Sequence, residues 1–225
     1  MAIKREMLCL NDTQAKVVRE APVGAPVGPL VVALGTGRRQ GELLALTWDD
    51  VDLKNGTPTV RRSLAQTKGG FITKEPETAA SRRTLTVPGF VVETLTKLKA
   101  VRLKALDKPV FCTRDGGYLC KKNVMRAFRG VVAKANKALQ ATAEGINLTE
   151  TAANSEGGVK LIPEKVRFHD LRHSVASLLL STGHSLKAVS QQLGHANPTM
   201  TLRVYARTMP NDDAKLVEGL AQIMA

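Results

Sequence analysis

The apolar positions of this chain follow a helical spacing at both ends and an alternating one in between. In Met1 to Arg19, Val17 and Val18 face inward on a helix that Asn11 or Asp12 caps. The apolar run Leu30 to Leu34 predicts a second helix, stopping at Gly35, and Leu43, Leu44 and Leu46 anchor a short third one. The pattern then alternates over Thr59 to Arg62, Phe71 to Thr73 and Arg83 to Val87, with turns at Asn55-Gly56 and Gly69-Gly70. Pro88 opens a long helix with Val91, Val92, Leu95, Leu98 and Val101 inside, and Val110-Phe111 is a short strand or extended piece. Helical spacing returns over Val124 to Leu139, Phe168 to Leu180, Leu186 to Leu193 and, within a C-terminal helix over 211–224, Ala214 to Met224. The expected fold is mainly α with a small antiparallel β-sheet (α+β), in a single domain over 1–225. A tandem Ala-Pro-Val-Gly repeat over 21–28 reads as a loop, and residues 140–164 read as a mobile loop or insertion.

Charge narrows the partner. Lys and Arg number 33 against 20 Asp and Glu, a net charge of +13, and the pI is near 10.0. That balance calls for a polyanion, with nucleic acid ahead of a membrane surface. The cations cluster: Arg61, Arg62, Lys68, Arg82 and Arg83 lie in the sheet region, where they would follow a DNA backbone. Lys121, Lys122 and Arg126, on the outer face of the 124–139 helix, and Arg38 are expected DNA contacts as well. An aromatic content of 4% argues against a single-strand binder built on stacking platforms. No apolar run approaches 18 residues and no signal-peptide pattern is present, so a soluble, cytoplasmic protein with no membrane partner is expected. Cys9, Cys112 and Cys120 match no zinc or redox spacing and are expected as free thiols.

Candidate chemistry concentrates in residues 169 to 205. His169 and Arg172, three apart, share a face of one helix. Thr182-Gly183 ends that helix, Ser185 caps the next, Gly194 closes it, and Asn197-Pro198 starts a third. Three short helices folding back would bring His169, Arg172, His195 and Tyr205 together. His169 and His173, four apart, could instead hold a metal, but no third ligand is apparent, so no metal or other cofactor is assigned. His173 reads as a helix-packing histidine. A second stretch, Thr36 to Trp48, places Arg38 and Arg39 at a helix start, where a cation is awkward unless an anion joins it. Solvated surface charge is the equal alternative on that stretch alone. Asp49, Asp50 and Asp52 could suggest magnesium, but acids in one turn more often cap a helix and start a strand.

The ordered set resembles the tyrosine recombinase (phage integrase) signature. His169-x-x-Arg172, then Leu193-Gly194-His195 ten residues before Tyr205, match its second half. Thr36-Gly37-x-Arg39-x-x-Glu42-x-Leu44-x-Leu46-x-Trp48 matches its first box, with Arg38 where the family usually has an apolar residue. The resemblance runs from about residue 10 to the end and implies the family's catalytic domain alone, its N-terminal core-binding domain being absent. It implies site-specific cutting and rejoining of double-stranded DNA through a 3′-phosphotyrosine, by a homo-oligomer on DNA, without cofactors. Tyr205 would be the nucleophile, Arg39 and Arg172 the phosphate clamps, His169 the acceptor of the tyrosine proton, and His195 a phosphate donor. One position departs: the family's Pro-Lys-Thr-x-x-Ser-Arg-Arg appears here as Pro76-Glu77-Thr78-Ala-Ala-Ser81-Arg82-Arg83, so Glu77 stands where the general-acid lysine is expected, and Lys74, with Lys68 behind it, is the candidate substitute. A type IB topoisomerase shares the tyrosine chemistry, and a non-catalytic regulator could use Leu186 to Tyr205 as a helix-turn-helix.

Overall fold

Asn11 opens the first helix, α1 (Asp12–Arg19), with a reciprocal capping box: its side chain accepts from Gln14 N–H at 2.8 Å, and the Gln14 side chain accepts from Asn11 N–H at 3.0 Å. The structure, a computed structural model, describes residues 7–20, 27–75, 82–101, 108–145, 160–195 and 197–205. The loop repeat (apart from Val27 and Gly28), Glu77 and the 211–224 helix lie outside them. Gln14 is buried and donates to the carbonyls of Lys160 and Leu161 at 2.9 Å each, tying α1 to the segment that precedes the site.

The next helix, α2 (Gly28–Thr36), is apolar on every side and lies in the middle of the domain, against α1, α4 (Gly89–Val101) and α6 (Phe168–Ser181). Its predicted stop at Gly35 is corrected. Gly35 stays in the helix, at a point where a Cβ would run into the Val91 side chain of α4. The stop is Gly37, whose φ of 65° is the left-handed conformation glycine tolerates. α4 buries Val91, Leu95 and Leu98, but Val101, expected inside, is 84% exposed because it is the last turn.

The β region is two sheets rather than one. Strands β1 (Val51–Asp52), β2 (Thr57–Val60) and β5 (Arg83–Thr84) form an antiparallel sheet in the order β1-β2-β5. Strands β3 (Ser63–Thr67) and β4 (Gly70–Lys74) form a separate hairpin, with Ser63 opposite Lys74. β3 was invisible to patterning because Leu64 is its single buried apolar side chain. Asp50 caps the turn Trp48–Asp50 through Thr47, as acids at a helix start do, and Asp52 accepts from Lys54 and Asn55.

Helix α5 (Lys121–Gly145) is longer than the predicted 124–139, so the supposed loop over 140–164 begins as helix. Residues 146–159 lie outside the described residues. Beyond them Ile162 is buried and both its backbone groups bond to the Asn136 side chain, at 2.8 and 2.9 Å. α6, α7 (Leu186–Leu193) and α8 (Pro198–Tyr205) follow as predicted. Ala176, Leu180, Val189, Leu193 and Tyr205 make a second small core beside the main one. Among the described residues no helix is long and apolar enough to cross a membrane.

Candidate active site

The left-handed stop at Gly37 turns the chain so that Arg39 becomes the N-cap of α3 (Gln40–Leu44). Glu42, three residues on, accepts from Arg39 N–H at 3.2 Å and from Arg39 Nη1 at 2.8 Å. The same carboxylate takes a third bond from Arg83 Nη2 at 3.1 Å. Burial alone would push the Glu42 carboxyl up. The Arg83 and Arg39 guanidiniums outweigh it and hold the group below the usual carboxylate range. Glu42 therefore stays ionised and fixes two cations at once.

Arg172 comes to this point from α6. It is 2% exposed and donates from Nη1 to the Gly37 carbonyl at 2.8 Å. Its Nη2 is buried with no hydrogen-bond partner among the described residues. Burial, then the charge of Arg39, lowers the guanidinium to about 9, which still leaves it cationic at neutral pH. On the other side, Arg39 Nη2 reaches the Gly194 carbonyl at 3.4 Å, and Arg83 Nε donates to the Gln192 carbonyl at 3.1 Å. The end of α7 is thereby pinned to α3 and β5. His195 follows Gly194 and shares Nδ1 with Thr201 Oγ1 at 2.7 Å, so any bond from this ring to a phosphate must come from Nε2. Burial, then Arg172 and Arg39, depresses the His195 imidazole to about 4. It is neutral under ordinary conditions.

The sequence-predicted set thus converges: Arg39, Arg172 and His195 crowd together, short of anionic charge. Such crowding costs energy in the free protein and is relieved by a bound anion.

Tyr205 departs from expectation in its immediate partner. It is 1% exposed, packed in the second core, and its hydroxyl lies 2.5 Å from His173 Nδ1. Burial raises the phenol's pKa, and the nearby charge of Arg172 only partly offsets this. His169, expected to take that proton, lies one helical turn back with its ring edge-on to His173 at 4.7 Å between centroids. His173 is therefore not a mere packing residue. The i, i+4 spacing brings these two rings edge to face.

Two of the nine cations assigned to DNA are corrected. Arg38 is 1% exposed and donates to the Pro58 carbonyl at 2.5 Å, so it points into the protein. Burial, then the charge of Arg83, lowers it to about 10. Arg83 has 9% of its side chain exposed and is committed to Glu42. The other seven are reachable. Arg61 and Arg62 are held by the buried Asp50 at 3.4 and 3.3 Å, and Arg82 is paired with Glu75. Lys68, Lys121, Lys122 and Arg126 are exposed. Lys74 is exposed too, and with Arg61, Arg62, Arg82 and Arg83 it lines a cleft of about 710 Å³. Its partner strand packs on α3: a Cβ at Gly41 would come within 2.5 Å of Ser63 Oγ. Lys74 therefore stands one strand away from the helix that carries Arg39.

The scaffold is that of tyrosine recombinase catalytic domains. The Tn1549 transposon integrase, solved in complex with transposon right end DNA, superposes with a TM-score of 0.74 at 23% identity, covering 99% of this chain and 67% of that one. XerA recombinase gives 0.61 at 24%, covering 100% and 68%. The chain belongs to the phage integrase family, whose model matches residues 11–211. Relatives include a tyrosine recombinase XerC-like protein of Caldanaerobacter subterraneus, 29% identical over 97% of this chain and 55% of its own length. An integrase of Streptomyces ambofaciens is 34% identical over 90% and 50%. The chain spans about half the length of the curated relatives it matches.

Proposed function

We propose that this chain cuts and rejoins double-stranded DNA at specific sites, as the catalytic domain of an integrase that acts in integration or excision. The observation that carries the proposal is the convergence of Arg39, Arg172 and His195 beside Tyr205, with a buried guanidinium nitrogen of Arg172 that has no partner among the described residues. The two guanidiniums present planar forks to the non-bridging oxygens of one phosphodiester, where charge grows in the transition state. Neutral His195, in the tautomer whose Nδ1 accepts from the Thr201 hydroxyl, donates from Nε2. The Tyr205 oxygen attacks phosphorus, an Oη–P bond forms, and the 5′ oxygen leaves with a proton from a general acid. The phosphotyrosine conserves the bond energy, so the reverse attack by a 5′ hydroxyl rejoins a strand with no nucleoside triphosphate. Catalysis would take place on a homo-oligomer assembled on DNA, in a bacterial cytoplasm. Support comes from relatives: λ integrase is a dimer on its core site, in a structure with a TM-score of 0.52 to this chain. Covalent trapping on a nicked duplex tests the proposal.

Binding is expected to be strongly salt-dependent, because exposed cations such as Lys68, Lys74, Lys121, Lys122 and Arg126 act through phosphates. With about six phosphates neutralised, affinity should fall on the order of a thousandfold between 50 and 200 mM salt. Titration at several salt concentrations checks this, and a flat dependence would rule out the backbone-contact account.

Glu77 favours a second, slower reading of the same site. A carboxylate at the general-acid position has no proton to give at neutral pH and repels the phosphate, by about 1 kcal/mol at 4 Å in water and more where water is excluded. Lys74 is the proposed acid. Glu77→Lys should raise the cleavage rate, and a 5′-bridging sulfur, whose departure needs no proton, should narrow the difference between the two proteins. An unchanged rate on both substrates would place residue 77 outside the chemistry. Brisk cleavage lost in Lys74→Ala would assign the acid to Lys74.

A further inference from the structure

We infer that His173, rather than His169, is the residue that takes the proton from Tyr205 when the nucleophile attacks. The inference rests on the reading of Tyr205 as nucleophile given above. A proton acceptor must first lie within hydrogen-bond reach of the proton it removes. His173 Nδ1 meets that requirement, at 2.5 Å from the Tyr205 hydroxyl. The rings are inclined at 57° with centroids 5.7 Å apart, so the contact is made through the nitrogen and not by ring stacking. Both partners are held in place. The Tyr205 ring packs among Ala176, Leu180, Val189 and Leu193, while His169 lies edge-on to His173.

The protonation states also fit a donor phenol and an acceptor imidazole. Burial, then the neighbouring His169, keeps His173 down at about 4, so the imidazole is neutral throughout the ordinary pH range and, as its Nε2–H tautomer, accepts at Nδ1. The groups around the pair are His169, Asp170, Arg172 and the Arg167 cap on α6, Tyr205 on α8, and Cys9 from the segment ahead of α1. Asp170 is fully buried and held by Arg167 Nη2 at 2.8 Å, so a fixed anion lies close to the imidazolium that forms. Of the groups that depress His173, Arg172 is the one a bound phosphodiester would neutralise. Substrate binding therefore strengthens the base at the moment it is needed.

The step balances. The Tyr205 O–H bond breaks and its proton passes to His173 Nδ1, giving an imidazolium. The Oη–P bond forms, the P–O5′ bond breaks, and the 5′ oxygen takes a proton from the general acid. Rejoining reverses each transfer and returns His173 to its neutral form. His169 is left as a ring-positioning group at the start of α6.

The test is the rate of covalent adduct formation by the full chain. The probe is a nicked duplex selected from a random-sequence pool for retention by the protein. His173→Ala is expected to slow the reaction about 10²–10⁴-fold at neutral pH with unchanged DNA retention. Its rate should climb about tenfold per pH unit between pH 6 and 9, as hydroxide replaces the missing base, while the parent rate stays flat. His173→Gln, whose amide oxygen can accept the tyrosine hydrogen bond but cannot take the proton, should be as slow and climb in the same way. That variant preserves the packing should alanine unfold the domain, which thermal unfolding reports. A glutamine variant at the parent rate, a loss that is the same at every pH, or a faster adduct in either variant would overturn the assignment. Tyr205→Phe separates the two levels: an adduct persisting in it defeats the nucleophile reading itself, whereas an adduct lost there but retained in both His173 variants defeats the base alone.

Discussion

Tyr205→Phe is expected to abolish covalent attachment to DNA while leaving the domain folded and its DNA retention unchanged. The ring is the structural part of this side chain. It fills the second core with Leu180, Val189 and Leu193, and phenylalanine keeps that burial. What is lost is the hydroxyl and its bond to His173, worth about 1 kcal/mol in stability, or a fall in Tm of about 2–4 °C. A substitute nucleophile would have to lie in line with the leaving oxygen and within contact distance, a demand that removal of one hydroxyl does not meet elsewhere by itself. Thermal unfolding, a retention assay and an adduct gel on the same preparation check all three statements. A variant that unfolds would show the hydroxyl to be structural.

Arg172→Ala should lower the cleavage rate at saturating DNA by on the order of a hundredfold or more, with a much smaller change in affinity. One of its terminal nitrogens already holds the Gly37 carbonyl, and the other is buried with no acceptor among the described residues. Keeping a buried donor unsatisfied costs about 1–3 kcal/mol in the free protein. That cost is recovered only when an oxygen arrives, and most fully when the oxygen carries the extra charge of the transition state. Arg172→Lys retains the charge but not the fork, and should recover little of the rate. Arg39→Ala should act in the same direction, with less disturbance to the fold, since Glu42 keeps Arg83 as a partner. Single-turnover kinetics at saturating DNA are the check. Weakened retention with intact cleavage would mean that the arginines anchor DNA without acting on the reacting phosphate.

The unit over 168–205 was legible in the sequence because each boundary carries its own chemical mark: Ser185 accepts from Ala188 N–H, Gly194 takes the left-handed turn, and Asn197 caps ahead of Pro198. Arg39 and Glu42 were legible for the same reason, since their spacing is one helical turn. What stayed hidden depends on contacts between distant segments. Gly35 and Gly37 look alike in sequence, and only the approach of α4 separates a packing glycine from a stop. Arg38 and Arg83 look like surface charge, yet one is swallowed by the β2 backbone and the other closes a three-residue ion cluster 41 positions from Glu42. His173 could have been suspected from its place one turn after His169, but nothing local says that a tyrosine 32 residues later meets it.

The central claim is that Tyr205 forms the bond to DNA, and the most direct measurement is to trap the adduct on a nicked duplex, digest it, and identify the peptide that carries the nucleotide. The account predicts attachment within the α8 peptide, at Tyr205. Attachment at Tyr118, the chain's other tyrosine, which lies against Phe71 of the β-hairpin, would contradict it.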